Sequence, residues 1–207
     1  MHRLNHTAYA TPARIVLLLA MAGFLAACAV GQPKDDAHRD SAVPPDKTER
    51  VDSDVRAEFE AAMKLLEAEN YAKGIEQLKQ LTQRAKGNTA PYINLAIAYQ
   101  KIGDLAAAEE NLKLALAINP DHPVANNEVG LLYRRTGRFS EAKTAYERIL
   151  VKTPVFLPAR KNLAILCDLY MNDLECALQN YQIYSQSVPN DKAVAIWIAD
   201  VQKRLGR

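Results

Sequence analysis

The sequence predicts an all-α chain: a right-handed α-solenoid of helix hairpins, closed by a C-terminal capping helix. Three observations carry this. The stretch YINLAIAYQKIGDLAAAEENLKLALAINP, from Tyr92, lies over a later stretch at a shift of 34 residues. The shift matches Leu95 to Val129, Ala96 to Gly130, Tyr99 to Tyr133, Gly103 to Gly137, Ala108 to Ala142, Leu112 to Tyr146 and Pro120 to Pro154. Inside each copy the apolar positions recur every three and four residues, as on one face of a helix: Tyr92, Leu95, Ala96, Tyr99, then Leu105, Ala108, Leu112, Ala115. Helix-stopping residues fall where this period breaks. Gly103 can supply the positive φ that ends a first helix, and Asn119-Pro120 ends the second, because a proline disfavours helix in the residue before it.

The chain opens with a mildly cationic head, His2, Arg3, His6 and Arg14, followed by eleven uncharged residues from Ile15 to Leu25. That run is shorter than the ~20 apolar residues a membrane-crossing helix needs. A charged head, an apolar middle and small residues at the cut read as a secretory signal over residues 1–27. Leu25-Ala26-Ala27-Cys28 resembles the lipobox of bacterial lipoproteins, and the resemblance implies that Cys28 is acylated and becomes the first residue of the mature chain. Ala29, rather than aspartate, follows the cysteine, and in that family this favours the outer membrane. Residues 28–53 then have little apolar content, no aromatic residue and three prolines. Such a stretch cannot bury enough surface to offset its ordering entropy, so it reads as a tether.

The repeat domain is expected over residues 54–189, with copies at 55–88, 89–122, 123–156 and 157–191. In the first copy Ala62, Tyr71, Gly74 and Leu78 fall where Ala96, Leu105, Ala108 and Leu112 fall, but the turn glycine and the closing proline are missing. The fourth copy carries Leu163, Ala164, Ala177, Tyr181 and Pro189 and is one residue longer; Asn172 stands in for the glycine one position late. Asparagine tolerates the left-handed conformation, so the first helix of that copy is expected to gain a residue. Small residues at Ala96, Gly130 and Ala164, and at Ala108, Ala142 and Ala177, let paired helices approach closely. Residues 190–207 form the cap, with Val194, Trp197, Ile198, Val201 and Leu205 on one face.

These offsets of large, small and aromatic residues resemble the tetratricopeptide repeat. In that family the first helix of each hairpin lines a concave surface that binds protein, which the resemblance implies here for a groove of Ile93, Ile97, Lys101, Asn127, Leu131, Arg134, Arg135, Lys161, Ile165 and Asp168. Leu169 and Gln100 fall on the same helices. Ile97, Leu131 and Ile165 sit at equivalent offsets and make an apolar stripe, flanked by donors from Asn127, Arg134, Arg135 and Lys161. An extended peptide or a short helix with an apolar edge and acidic or carbonyl groups suits such a groove. The other reading is that the apolar residues pack between adjacent repeats and the basic ones are solvated. The tyrosines Tyr92, Tyr99, Tyr133, Tyr146 and Tyr181 read as core.

With Cys28 acylated, Cys167 and Cys176 remain as an even pair in an oxidising compartment, near the end of one helix and the start of the next. A structural disulfide is expected; the alternative is two buried thiols out of bridging reach. Neither sits in a CxxC motif, and the four histidines are scattered, so no metal-ligand spacing or cofactor is expected. The chain holds 26 Lys and Arg against 24 Asp and Glu, and Arg3 and Arg14 account for the excess. Without a basic surplus, nucleic-acid binding is not expected. No GxSxG, phosphate-cradling loop or HExxH is present, so an enzyme is not expected either. Glu109-Glu110 read as solvation and His122 as surface.

The combined expectation is a lipid-anchored adaptor facing the periplasm of a Gram-negative envelope, held at the outer membrane and binding another protein. It is similar to the tetratricopeptide lipoproteins that help assemble pili or secretion complexes, pilotins among them. Alternatives are an accessory of a motility or energised TonB-type transport machine, or a ligand-binding protein near peptidoglycan. The last would need clustered aromatic groove residues, and the groove positions contain none. Self-association through the degenerate copy at 55–88, giving a homodimer, is a third possibility.

Overall fold

The structure, a computed structural model, describes residues 53–207. The signal segment, Cys28 and almost all of the tether lie outside the described residues. Among the described residues there are nine helices and no strand: α1 Ser53–Glu67, α2 Tyr71–Arg84, α3 Thr89–Ile102, α4 Leu105–Ile118, α5 Pro123–Arg135, α6 Phe139–Lys152, α7 Leu157–Leu169, α8 Leu174–Ser187 and α9 Lys192–Arg204. Consecutive helices pair into four hairpins, each hairpin packs on the next, and α9 closes the stack. The first helices also touch one another directly, α3 against α5 and α5 against α7. The chain is therefore an α-solenoid, as the 34-residue recurrence predicts. No described helix is long and apolar enough to cross a membrane.

The hairpin turns follow one scheme. Gly103 (φ 84°) and Gly137 (φ 77°) are left-handed, and the next residue's N–H reaches back five positions, Asp104 to the Tyr99 carbonyl at 2.9 Å and Arg138 to the Tyr133 carbonyl at 2.8 Å. These bonds satisfy carbonyls that a helix end leaves open. The first hairpin makes the same turn without glycine: Glu69 takes φ 57°, and Asn70 N–H bonds to the Leu65 carbonyl at 2.8 Å. The fourth turn is wider. Asn172 is left-handed at φ 51°, and Asp173 N–H reaches the Cys167 carbonyl, six residues back, at 2.8 Å. The extra residue is thus taken up in the turn rather than in α7, which at 13 residues is no longer than α5. The wider turn places Tyr170 against Phe139, ring centroids 5.0 Å apart, and Met171 against the core.

Within each hairpin a small residue of the first helix faces a small and a large residue of the second. The first-helix set, Ala62, Ala96, Gly130 and Ala164, is buried throughout. So is the large set, Leu78, Leu112, Tyr146 and Tyr181. A Cβ added to Gly130 would lie 2.3 Å from the Tyr146 ring, so the glycine is required by a close approach. Burying Tyr146 in this way removes a large apolar area from water and is the kind of contact that makes stacked hairpins cohere. Tyr92 and Tyr133, in contrast, are only half-buried at the core's edge. Ion pairs spaced about one repeat apart tie neighbouring hairpins: Arg138 with Glu109 (3.0 Å), Lys143 with Asp173 (3.1 Å) and Lys161 with Asp191 (3.0 Å). Glu109 is therefore an inter-repeat tie as well as a solvated acid; Lys113 first and Arg138 after it hold its carboxyl below the usual range, against burial. His122 is not merely surface either. It is the N-cap of α5, its Nδ1 accepting from Ala125 N–H at 3.3 Å.

Candidate functional site

The candidate groove residues all lie on α3, α5 and α7, the first helices of consecutive hairpins. Their packing sorts them into four groups, the polar residues inside the stack being the last. Ile93 and Leu131 are 0% and 1% exposed. Ile97 and Ile165 are half-buried, although Leu131 holds the equivalent position of α5 and is sealed. Lys101 and Arg135, in the last turns of α3 and α5, are exposed, where a cation complements the helix dipole.

The polar members form a ladder between helices. Asn127 on α5 is buried, and its Oδ1 accepts from Asn162 Nδ2 on α7 at 3.0 Å. Beside it Glu128, fully buried, accepts from Gln100 Nε2 on α3 at 3.2 Å. Arg135 donates to the Gln100 carbonyl at 3.1 Å, bridging α5 to α3. Asp168 on α7 is buried and accepts from Arg204 on α9 at 2.6 Å. Tyr181 points its hydroxyl at the same carboxylate (3.5 Å); burial first, and then the Asp168 charge, push that phenol above its ordinary range. Arg134 is buried with its guanidinium 6.0 Å over the Tyr170 ring. Lys161 is half-buried, pairs with Asp191 at the start of α9, and lies 5.3 and 5.7 Å from the Tyr184 and Trp197 ring centroids. Burial alone would raise the Asp191 carboxyl, but the Lys161 ammonium and the Val194 N–H outweigh it and hold it low.

Asn127, Lys161 and Asp168 thus spend their hydrogen bonds largely on neighbouring helices. Ile97, Ile165, Lys101 and Arg135 keep surface available. The structure adds groups to this set. Leu169 at the end of α7 is 55% exposed, and Tyr170 beside it is 44% exposed. Tyr170 carries no repeat signal, because it lies in the turn that the extra residue widens. The sequence signal for the Gln100–Glu128 bond is weak too: both are ordinary polar residues on helices whose neighbours the period alone does not specify.

Cys167 and Cys176 are joined by a disulfide, with Cα atoms 5.9 Å apart. Asp173 lies beside them at metal-ligand distances, but both sulfurs are already bonded to each other and offer no thiolate. On another face, α6, α7 and α8 border an open groove of about 630 Å³ lined by Lys143, Leu150, Val151, Arg160, Leu163 and Asn180 among others. Its lining residues include no aromatic side chain, so it lacks the stacking surface a sugar would need.

Two family profiles described as tetratricopeptide repeat match the chain, over residues 65–127 and 124–150. Residues 65–150 thus match the tetratricopeptide repeat. Solved structures share the fold. A MamA fragment from Desulfovibrio magneticus RS-1 is 17% identical over 75% of this chain and 87% of its own, with a TM-score of 0.64. A thermophilic tetratricopeptide repeat protein of Thermus thermophilus is 24% identical over 72% of this chain and 82% of its own, at 0.62. One from Parabacteroides merdae is 18% identical over 73% of this chain and 59% of its own, also at 0.62. At these identities the likeness concerns the fold. The half-open face of α3, α5 and α7 presents apolar groups beside cations.

Proposed function

We propose that this protein is a lipid-anchored adaptor of a Gram-negative envelope, acylated on Cys28, held at the outer membrane facing the periplasm, and docking a subunit of a pilus or secretion complex through its first-helix face. The observation that carries the docking role is the row Ile97, Ile165 and Leu169, accessible between buried neighbours and accompanied by the exposed cations Lys101 and Arg135. A segment with aliphatic side chains on one edge and carboxylates beside them meets both features: the apolar edge leaves water, and the acids pair at the exposed rim. The anchor rests on Leu25-Ala26-Ala27-Cys28, and the tether that follows would leave the scaffold free to turn.

The test is crosslinking in intact cells from a photoreactive residue placed at Ile97 or at Ile165. One polypeptide should be captured from both positions, and Leu169→Glu with Arg135→Glu should abolish its capture. Capture that persists unchanged in the double variant removes the face from consideration. Labelled palmitate should enter the wild-type chain and not Cys28→Ser; label retained by the variant would refute acylation at that residue.

A further inference from the structure

The two ends of the helix stack are finished differently. The outward side of α1 presents Arg56, Glu60 and Lys64 to solvent. The outward side of α9 presents Ile196, 68% exposed, flanked by exposed Ala195 and Ala199, although a helix that ends a solenoid is expected to be polar there. Register explains the shape of this face. Ala199 stands 35 residues after Ala164, so α9 is built as the first helix of a fifth hairpin, and its small residue occupies the place where Gly130 receives Tyr146 from α6. No second helix follows α9 within the described residues.

We propose that this face binds the α9 of a second copy of the chain. Lys192, Ile196 and Asp200 form one row at four-residue spacing, all exposed, with a cation at one end and an anion at the other. Such a row is complementary to itself when reversed. Two α9 helices packed ridge into groove, crossing at about 50°, set their four-residue rows side by side and antiparallel. Ile196 then lies near the two-fold axis. Lys192 of one copy faces Asp200 of the partner subunit, and symmetry makes that pair twice. The groove next to the row is shallow because it is floored by Ala195 and Ala199, so the partner's row can seat in it. Arg204 is shared on each copy between Asp168 (2.6 Å) and Asp200 (3.3 Å), the longer contact leaving Asp200 the freer of the two acids. A single helix pair covers less than the ~800 Å² per partner of a standard interface, so the association is weak in solution and is best read by trapping it.

The full-length chain carrying Ile196→Cys is expressed in cells and exposed to a mild oxidant. A disulfide-linked homodimer of twice the chain mass is expected, in several-fold higher yield than from Ala57→Cys, an exposed position on α1. Adding Lys192→Glu should lower the yield several-fold by placing two acids together, and adding Asp200→Lys to that variant should restore it. Equal yields from positions 196 and 57, a product containing a different polypeptide, or a charge swap that does not restore the homodimer would each overturn the proposal.

Discussion

In the third hairpin the smallest residue at the helix crossing is Gly130 in the first helix, and the Tyr146 ring of the second fills the room it leaves. In the first hairpin the glycine is on the other side. Gly74 belongs to the second helix, and Leu66 of the first lies over it, its Cδ2 2.4 Å from where a Cβ would be. The two contacts hold different places in the repeat: Gly130 and Tyr146 stand where the first hairpin has buried Ala62 and Leu78, and Gly74 stands where the third has buried Ala142. What the fold requires is a matched pair of volumes at the crossing; the residue type at either position is secondary. The difference matters because a tyrosine ring held in a core cannot yield, while the end of a leucine side chain can turn.

The largest expected effect tests that contrast. Tyr146→Ala should cost ~3–5 kcal/mol, as for other buried aromatic truncations. Gly130→Ala should be destabilising by ~1–3 kcal/mol from overpacking, despite the ~1 kcal/mol that alanine gains over glycine in a helix. Gly74→Ala should stay within about 1 kcal/mol of wild type, since helix propensity offsets the shift of Leu66. Gly130→Ala combined with Tyr146→Leu recreates the Ala96 and Leu112 pair of the second hairpin, so it should be more stable than the sum of the two single changes. Urea unfolding of Gly130→Ala, Tyr146→Leu and their combination beside the wild type measures the coupling, with amide exchange in α5 and α6 locating it. Simple additivity would show that the ring and the glycine are not a matched pair.

The same contrast shows what the sequence displays and what it hides. Three-and-four spacing, Gly103, Gly137 and Asn172 locate the helices and their turns, because helix period and left-handed φ are local properties. That Gly130 holds a small position and Tyr146 a large one is legible from the 34-residue shift; that the two meet is shown by the packing. Coverage by the next hairpin is not local. Ile93 and Ile97 carry the same side chain on the same helix, yet one is sealed and the other half open. The bonds of Asn127 to Asn162 and Glu128 to Gln100 depend on the offset between helices 28 to 35 residues apart, which hydrophobic period does not fix. Ile196 is hidden for a related reason: the unbroken apolar run from Ala193 to Ala199 marks a helix with apolar groups on both sides, and only the stack shows which side is covered.

A second difference between hairpins is the covalent bond in the fourth turn. In the chain-entropy view a bridge closing about ten residues contributes ~2.5 kcal/mol. Cys176→Ser should therefore lower stability by about that amount, and the loss should appear as faster amide exchange in α7 to α9 while α1 to α4 keep their protection. Uniform loss along the chain would mean that the hairpins unfold as one unit rather than as neighbours in a stack.

The fourth turn also carries a charged cap that the first lacks. Asp173 caps α8, its Oδ1 accepting from Cys176 N–H at 3.1 Å, whereas Asn70 makes no side-chain cap at α2. That N–H first, and Lys143 after it, hold the Asp173 carboxyl below the usual carboxylate range, against burial. A depressed folded value means the contribution is full above the unfolded value near ~4 and is lost as pH falls through the folded one. Asp173→Ala should cost ~0.5–2 kcal/mol at neutral pH. Asp173→Asn should keep much of the cap but flatten the acid limb of the stability profile; an unchanged acid limb would assign that limb to other carboxylates.

The smallest effect returns to the first hairpin. Glu69 holds a left-handed conformation that the second and third hairpins give to glycine, and its side chain is exposed, so nothing it touches depends on keeping glutamate there. A residue with a Cβ is strained in that conformation by ~1–2 kcal/mol, and glycine is not, though glycine also adds freedom to the unfolded chain. Glu69→Gly should therefore stabilise the chain by ~0.5–1 kcal/mol, read as a higher urea midpoint at unchanged slope. Gly103→Ala, which imposes on the second hairpin the strain that Glu69 carries in the first, should shift the midpoint the other way by a similar amount. If both changes moved it in the same direction, the two turns would not share one backbone geometry, and the first hairpin would belong to the stack by its packing alone.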